Sequence, residues 1–192
     1  MIEKICQNKI YKECMNKVIR TSKIDITSYI ESVSTRAIEI AEKLETNTSI
    51  IKKAVALTYI GLAIEKEDYI QSSGILAVKI LTELQEDEDT IARVLMAIAG
   101  QGNKGKSINL FSAVILLANL EKFEDYMKIN GIQDEVIQKI SLSKLEILYE
   151  EKILKYQLRI ESENRELQSI KAQIEDFIFG CANILQLKVI EE

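Results

Sequence analysis

Histidine, proline and tryptophan are absent from this 192-residue chain, and glycine and cysteine are scarce, with seven and three residues. Without histidine there is no imidazole to act as general base, proton shuttle or metal ligand, so mechanisms built on that side chain are excluded, and most hydrolase chemistry with them. Cys6, Cys14 and Cys181 are odd in number and lack CxxC spacing. They suggest neither a disulfide framework nor a zinc ribbon and are expected as free thiols in the core. An excess of positive charge is also missing. The 25 Lys and Arg face 30 Asp and Glu, a net charge of −5, and no basic face is clustered, so nucleic acid is not expected as a partner. The longest apolar stretch, FSAVILLANL, is about half a membrane span, and the N-terminus has no signal-peptide core. No membrane partner is expected, and the chain reads as cytoplasmic. What is abundant is apolar: 47% of the residues are hydrophobic, enough to fill the core of one domain, or of one domain with an appendage.

Up to about residue 128 the apolar spacing is helical. Cys6, Ile10, Cys14 and Val18 recur every four positions, and Ile30, Val33, Ala37, Ala41 and Leu44 follow the three-and-four pattern of one buried stripe. Ser28 and Glu31 have the spacing of a capping box at the start of the second helix. Further helices are expected in IIKKAVALTYIGLAI, in YIQSSGILAVKILTEL with Asp68 as N-cap, in EDTIARVLMAIA and in SINLFSAVILLANLEKFEDYM. Ala54, Ala56, Gly61, Gly74 and Ala77 would let helices approach closely, and Met15, Met96 and Met127 read as core filler.

The period changes in the last third. In ILKYQLRI, Leu154, Tyr156, Leu158 and Ile160 alternate with Lys155, Gln157 and Arg159, the two-residue repeat of a half-buried strand, and KLEILY is its candidate hairpin partner. Leu167, Ile170, Ile174, Ile178, Cys181 and Leu185 then form a helical stripe whose wet face is the Glu/Lys-rich run over 161–176, and LKVIEE reads as a short final strand. The competing reading is a helical hairpin over 134–186; the alternation favours strand, strand, helix, strand. The expected fold class is mainly α, a helical bundle over 1–130 with an α+β extension over 131–192 packed on it.

Residues 100–107, GQGNKGKS, match G-x-x-x-x-G-K-[ST] literally. In that motif backbone N–H groups cradle phosphates, and here Lys106 would reach the terminal phosphates and Ser107 would hold magnesium. A P-loop, however, follows a buried parallel strand, whereas TIARVLMAIA has a helical pattern, and no apolar strand ending in Asp lies downstream. The plainer reading is a solvated loop between helices, with Ser107 as an N-cap.

The distributed pattern in YIESVSTRAIEIA, AVALTYIG, QSSGILAVKIL, AIAGQ and VILLANLEKF resembles the HD superfamily of metal-dependent phosphohydrolases, over about residues 27–128. The resemblance implies an HD-like bundle, and it implies where the family's ligands would stand. The first His is replaced by Tyr29, the His-Asp pair by Thr58 and Tyr59, the next His by Gln71, the fourth His by Gln101 and the final Asp by Asn119. In the family these groups hold divalent cations that polarise a phosphoryl oxygen and generate hydroxide. Phenols, hydroxyls and carboxamides are neutral at pH 7 and supply no counter-charge, so neither metal nor any other cofactor is expected.

These replacements suit two outcomes. One is a filled, neutral patch in which Tyr29 and Tyr59 supply volume and Gln71, Gln101 and Asn119 hydrogen-bond one another. The other is a retained pocket for a neutral or small phosphorylated ligand, aided by Lys104, Lys106 or Arg36. The family includes noncatalytic signalling and interaction modules, so the expected function is that of a catalytically inactive homologue acting as a scaffold, regulatory or ligand-binding protein, either as a homodimer through an open sheet edge or with another protein partner. The alternatives are nucleotide binding through 100–107 and residual metal-dependent hydrolysis through Glu65, Glu67 and Asp68, which as acidic loop residues are more simply solvated or capping.

Overall fold

In the computed structural model, which describes residues 2–102, 108–162 and 164–192, helices begin where an Asn or Asp can cap them. Asn8 accepts from the backbone N–H groups of Ile10 and Tyr11, Asp25 from Ser28, Asn47 from Ser49 and Ile50, Asp87 from Thr90, Asn109 from Ser112 and Asn164 from Leu167. These caps open α2 (Lys9–Thr21), α3 (Ile26–Lys43), α4 (Thr48–Thr58), α6 (Glu88–Ala99), α7 (Leu110–Leu120) and α10 (Arg165–Ile184). The remaining helices are α1 (Ile2–Gln7), α5 (Tyr69–Glu83), α8 (Phe123–Ile129) and the single turn α9 (Asp134–Ile137), with a 3-10 turn over Ile60–Ala63.

Several local expectations are corrected by these caps. The Asn8 cap interrupts the first stripe, leaving Cys6 exposed and Cys14 half-buried, so that of the three thiols only Cys181 lies in the core. Helix α3 starts before the Ser28/Glu31 pair, because Asp25 reaches Ser28 N at 3.1 Å. The capping position of α7 belongs to Asn109 rather than Ser107. Asp68 stands ahead of α5 without making a side-chain cap. Met15 and Met127 are buried, but Met96 faces outward and is 56% exposed.

The run IIKKAVALTYIGLAI does not continue as one helix. The Thr58 hydroxyl donates to Ala54 O at 2.7 Å, and the chain then tightens into the 3-10 turn. Gly61 allows that turn to lie directly against the start of α5: a Cβ here would collide with Tyr69 O and stand 2.5 Å from Ser73 N. Ser73 fastens the contact, donating to Thr58 O at 2.6 Å and accepting from Gly61 N at 2.8 Å.

The chain is mainly α with a small C-terminal α+β tail. β1 (Ile140–Leu148) pairs antiparallel with β2 (Ile153–Ile160), and β2 pairs parallel with β3 (Lys188–Glu191) after α10 has crossed between them, giving the order β1-β2-β3. Leu154, Tyr156 and Leu158 of β2 are buried, as the alternation demands, and all six residues of the α10 stripe are buried. β1 carries a register shift between Ser143 and Glu146, where Lys144 adopts φ 54°. One buried cluster runs from Ile5 to Leu185, and α10 packs on α7, so the tail shares the bundle's core. Among the described residues no helix is long and apolar enough to cross a membrane.

Candidate functional site

Helices α3, α4, α6 and α7 pack on one another so that Tyr29 of α3, Tyr59 just after α4, Gln101 just after α6 and Asn119 near the end of α7 meet in the core. All four are almost fully buried, Tyr59 at 0% and Asn119 at 1% exposure. Asn119 Oδ1 accepts from both tyrosines, from Tyr29 Oη at 2.8 Å and from Tyr59 Oη at 2.6 Å. Each phenol has one proton and directs it at Asn119. The 3.5 Å separation of the two hydroxyl oxygens therefore follows from their shared acceptor and is not a third bond.

The network ends on the backbone. Asn119 Nδ2 donates to Gln101 Oε1 at 3.2 Å, and Gln101 Nε2 donates to Ala97 O and Ser112 O, each at 3.2 Å. These bonds fix the orientation of both amides, because turning either one would place a donor against a donor. The tyrosine rings meet edge to face, with centroids 5.5 Å apart, and Tyr59 also stacks on Tyr69. Burial pushes the Tyr59 phenol up to about 12, and it raises Tyr29, Tyr69 and Tyr126 as well. The network is thus neutral throughout the physiological range.

Of the six sequence-derived positions, four form this network. Thr58 is buried beside it, but its hydroxyl is held by its own helix. Gln71 is exposed on α5, and the residues turned inward are Ser72 and Ser73. Arg36 lies apart as well, its guanidinium bonded to Glu121 at 2.8 Å and Glu39 at 3.0 Å. Glu65, Glu67 and Asp68 are exposed ahead of α5. Lys104, Lys106 and Ser107 lie outside the described residues, and what precedes GQGNKGKS is the helix α6 rather than a strand.

Two phenols not anticipated from the sequence complete the surroundings. Tyr69 and Tyr126, each 5% exposed, extend the aromatic cluster towards a cleft of about 350 Å³ that Gln101 and Gly102 also line. The signal for them was slight, since Tyr69 opens its helix and Tyr126 sits in the short helix α8.

This donor set does not suit a divalent cation. It offers two protonated phenols and two carboxamides already engaged with one another, and no carboxylate to balance the charge. Among the described residues, no group of three or more Cys, Asp or Glu side chains is gathered to hold a metal elsewhere. Comparison with known protein families, curated proteins and solved structures finds no match for this chain.

Proposed function

We propose that this protein is a noncatalytic relative of the HD phosphohydrolases that works by binding, as a regulatory or scaffold protein. The observation that carries the reading is Asn119: its carboxamide oxygen gathers the hydroxyls of Tyr29 and Tyr59 at the place where the resemblance puts the family's cation. A neutral, internally bonded cluster has no negative charge with which to retain such an ion. Gly61 belongs to the same pattern. It occupies the glycine of the family's His-Asp-Ile-Gly segment, here Thr58-Tyr59-Ile60-Gly61, and it is the residue against which the start of α5 is pressed.

Metal analysis of untagged protein tests the proposal. The expected result is no stoichiometric manganese, iron, nickel or magnesium and no metal-dependent release of phosphate from nucleotides; finding both would overturn it. Homodimerisation through the sheet is the finer part of the proposal. The β1 edge is blunted by its register shift and by Lys144, so β3 is the edge left for a second copy. Light scattering on the eluting protein should return twice the chain mass of 21.8 kDa, and a single-chain mass would remove this part.

A further inference from the structure

We propose that two copies of this chain pair β3 against β3, antiparallel about a two-fold axis at Ile190, so that their three-stranded sheets join into one. Resting on the homodimer reading above, this pairing specifies the direction and register of the contact. β3 ends the order β1-β2-β3, and among the described residues no strand pairs with its outer side. It has neither the bulge nor the proline that usually blunts such an edge.

The backbone decides which groups are on offer. Lys188 N donates to Lys152 O at 2.8 Å, and Glu192 N donates to Tyr156 O at 2.9 Å. Backbone groups alternate sides along a strand, so residues 188, 190 and 192 turn theirs to β2, whereas Val189 and Glu191 turn theirs outward. A two-fold axis normal to the sheet sets the second β3 antiparallel to the first. With the axis at Ile190, Val189 stands opposite Glu191 of the second copy, and each such pair exchanges both its N–H···O bonds.

Side-chain charge selects this register. Glu192 meets Lys144 and Lys155 at 3.4 Å each, which places it on the face of β2 that Lys155 occupies, and the two-residue alternation puts Lys188 and Ile190 on that face as well. An axis at Ile190 brings Lys188 opposite Glu192 of the second copy, and this opposite-charge pair occurs twice. Moving the axis to Glu191 would set two carboxylates against each other. An axis at Val189 would set Lys188 opposite Ile190 and leave Glu192 without a facing residue. Of the three positions that keep outward groups opposite outward groups, only Ile190 matches charge as well as hydrogen bonds.

Single cysteines read the register directly. In a protein carrying Cys6→Ser and Cys14→Ser, with Cys181 left in the core, the variants Val189→Cys, Ile190→Cys and Glu191→Cys each test one axis. Ile190→Cys should form an intermolecular disulfide under mild oxidation, because facing residues at a non-hydrogen-bonded position lie about 4.5 Å apart at Cα. The other two should not, since each would lie about 8 Å from its own copy. Val189→Pro removes an outward N–H without touching the bonds to β2 and should give a single-chain mass with an unchanged circular dichroism spectrum. Lys188→Glu and Glu192→Lys should each weaken dimerisation about tenfold, and mixing the two proteins should restore it, as opposite charges face each other again in the mixed dimer. Crosslinking through residue 189 or 191 in place of 190, a dimeric Val189→Pro, or no recovery on mixing would each overturn this register while leaving a dimer. A single-chain mass for the unmodified protein would overturn both the register and the dimer.

Discussion

Asn119 is the residue on which the buried network depends, because one carboxamide oxygen accepts two phenolic protons. Asn119→Ala should cost about 3–5 kcal/mol in urea unfolding, since it opens a cavity and strands both phenols. Tyr59→Phe removes one donor, leaves Tyr29 in place and should cost only about 1 kcal/mol; equal losses for the two variants would show that the hydroxyls do not share this acceptor. The pH dependence has a definite sign. The Tyr59 phenol titrates at 10.0 when solvated and is pushed up to about 12 when folded. Above pH 10 the unfolded chain therefore loses this proton first, and the contribution to stability, complete below pH 10, declines as pH rises towards 12. Tyr29 and Tyr69 shift in the same direction. Thermal melts should be insensitive to these groups from pH 6 to 9 and fall steeply above pH 10, and the alkaline fall should be shallower in Tyr59→Phe. Tyr29, Tyr59, Gln101 and Asn119 were singled out through the resemblance, and the packing of their helices brings the four together. Gln71 faces the solvent on α5, where a one-residue step turns a side chain from the solvent to the core, and Ser72 and Ser73 face inward in its stead.

The ends of the elements show what glycine scarcity costs a reader of the sequence. Helices α3, α5, α8 and α10 end in one and the same motif: the residue after the C-cap takes positive φ, its N–H bonds back three residues, and the next N–H bonds back five. The residue in that left-handed position is Glu45, Gln85, Gly131 and Gln186 in turn, with φ between 53° and 81°. Only one of the four is the glycine that normally marks such an end, so three of these stops carry no such mark in the sequence. Glu45→Gly, Gln85→Gly and Gln186→Gly should therefore each stabilise the protein by about 0.5–1 kcal/mol, as relief of left-handed strain outweighs the added chain entropy. A lowered melting temperature in all three would refute this account. Gly131→Ala should lose about 1 kcal/mol through φ alone, since nothing lies within 4 Å of its added Cβ. Gly61→Ala acts by another route, a collision with the backbone of α5, and should cost about 3 kcal/mol or prevent soluble expression.

At the scale of the whole molecule, a buried ion pair and a shared core hold the parts together. Lys53 of α4 meets Glu86, just after α5, at 2.6 Å with side-chain exposures of 4% and 11%. Glu86→Ala would leave the ammonium buried without its partner and should cost about 3–5 kcal/mol, whereas the double variant Lys53→Met, Glu86→Leu should recover most of that loss. Denaturation of both variants checks the sign. The tail was legible because two periods differ so plainly: Leu154, Tyr156 and Leu158 alternate, whereas Leu167 to Leu185 recurs every three to four residues, and each pattern buries the residues it names. The parallel pairing of β2 with β3 was not legible, because nothing local in LKVIEE chooses a partner or a direction. That choice depends on where α10 returns the chain.

The sequence by itself determined the class of the fold and the charge of its centre. Hydrophobic periods specify which faces must leave water, and the absence of histidine excludes a cation held by imidazole. Only the tertiary structure decided which polar groups satisfy one another. Tyr29, Tyr59, Tyr69 and Tyr126 are alike as letters, yet the first two meet Asn119 and the last two meet a cleft. A hydrogen bond needs a partner at about 3 Å, and that proximity arises from how α3, α4, α7, α8 and α10 pack rather than from spacing along the chain.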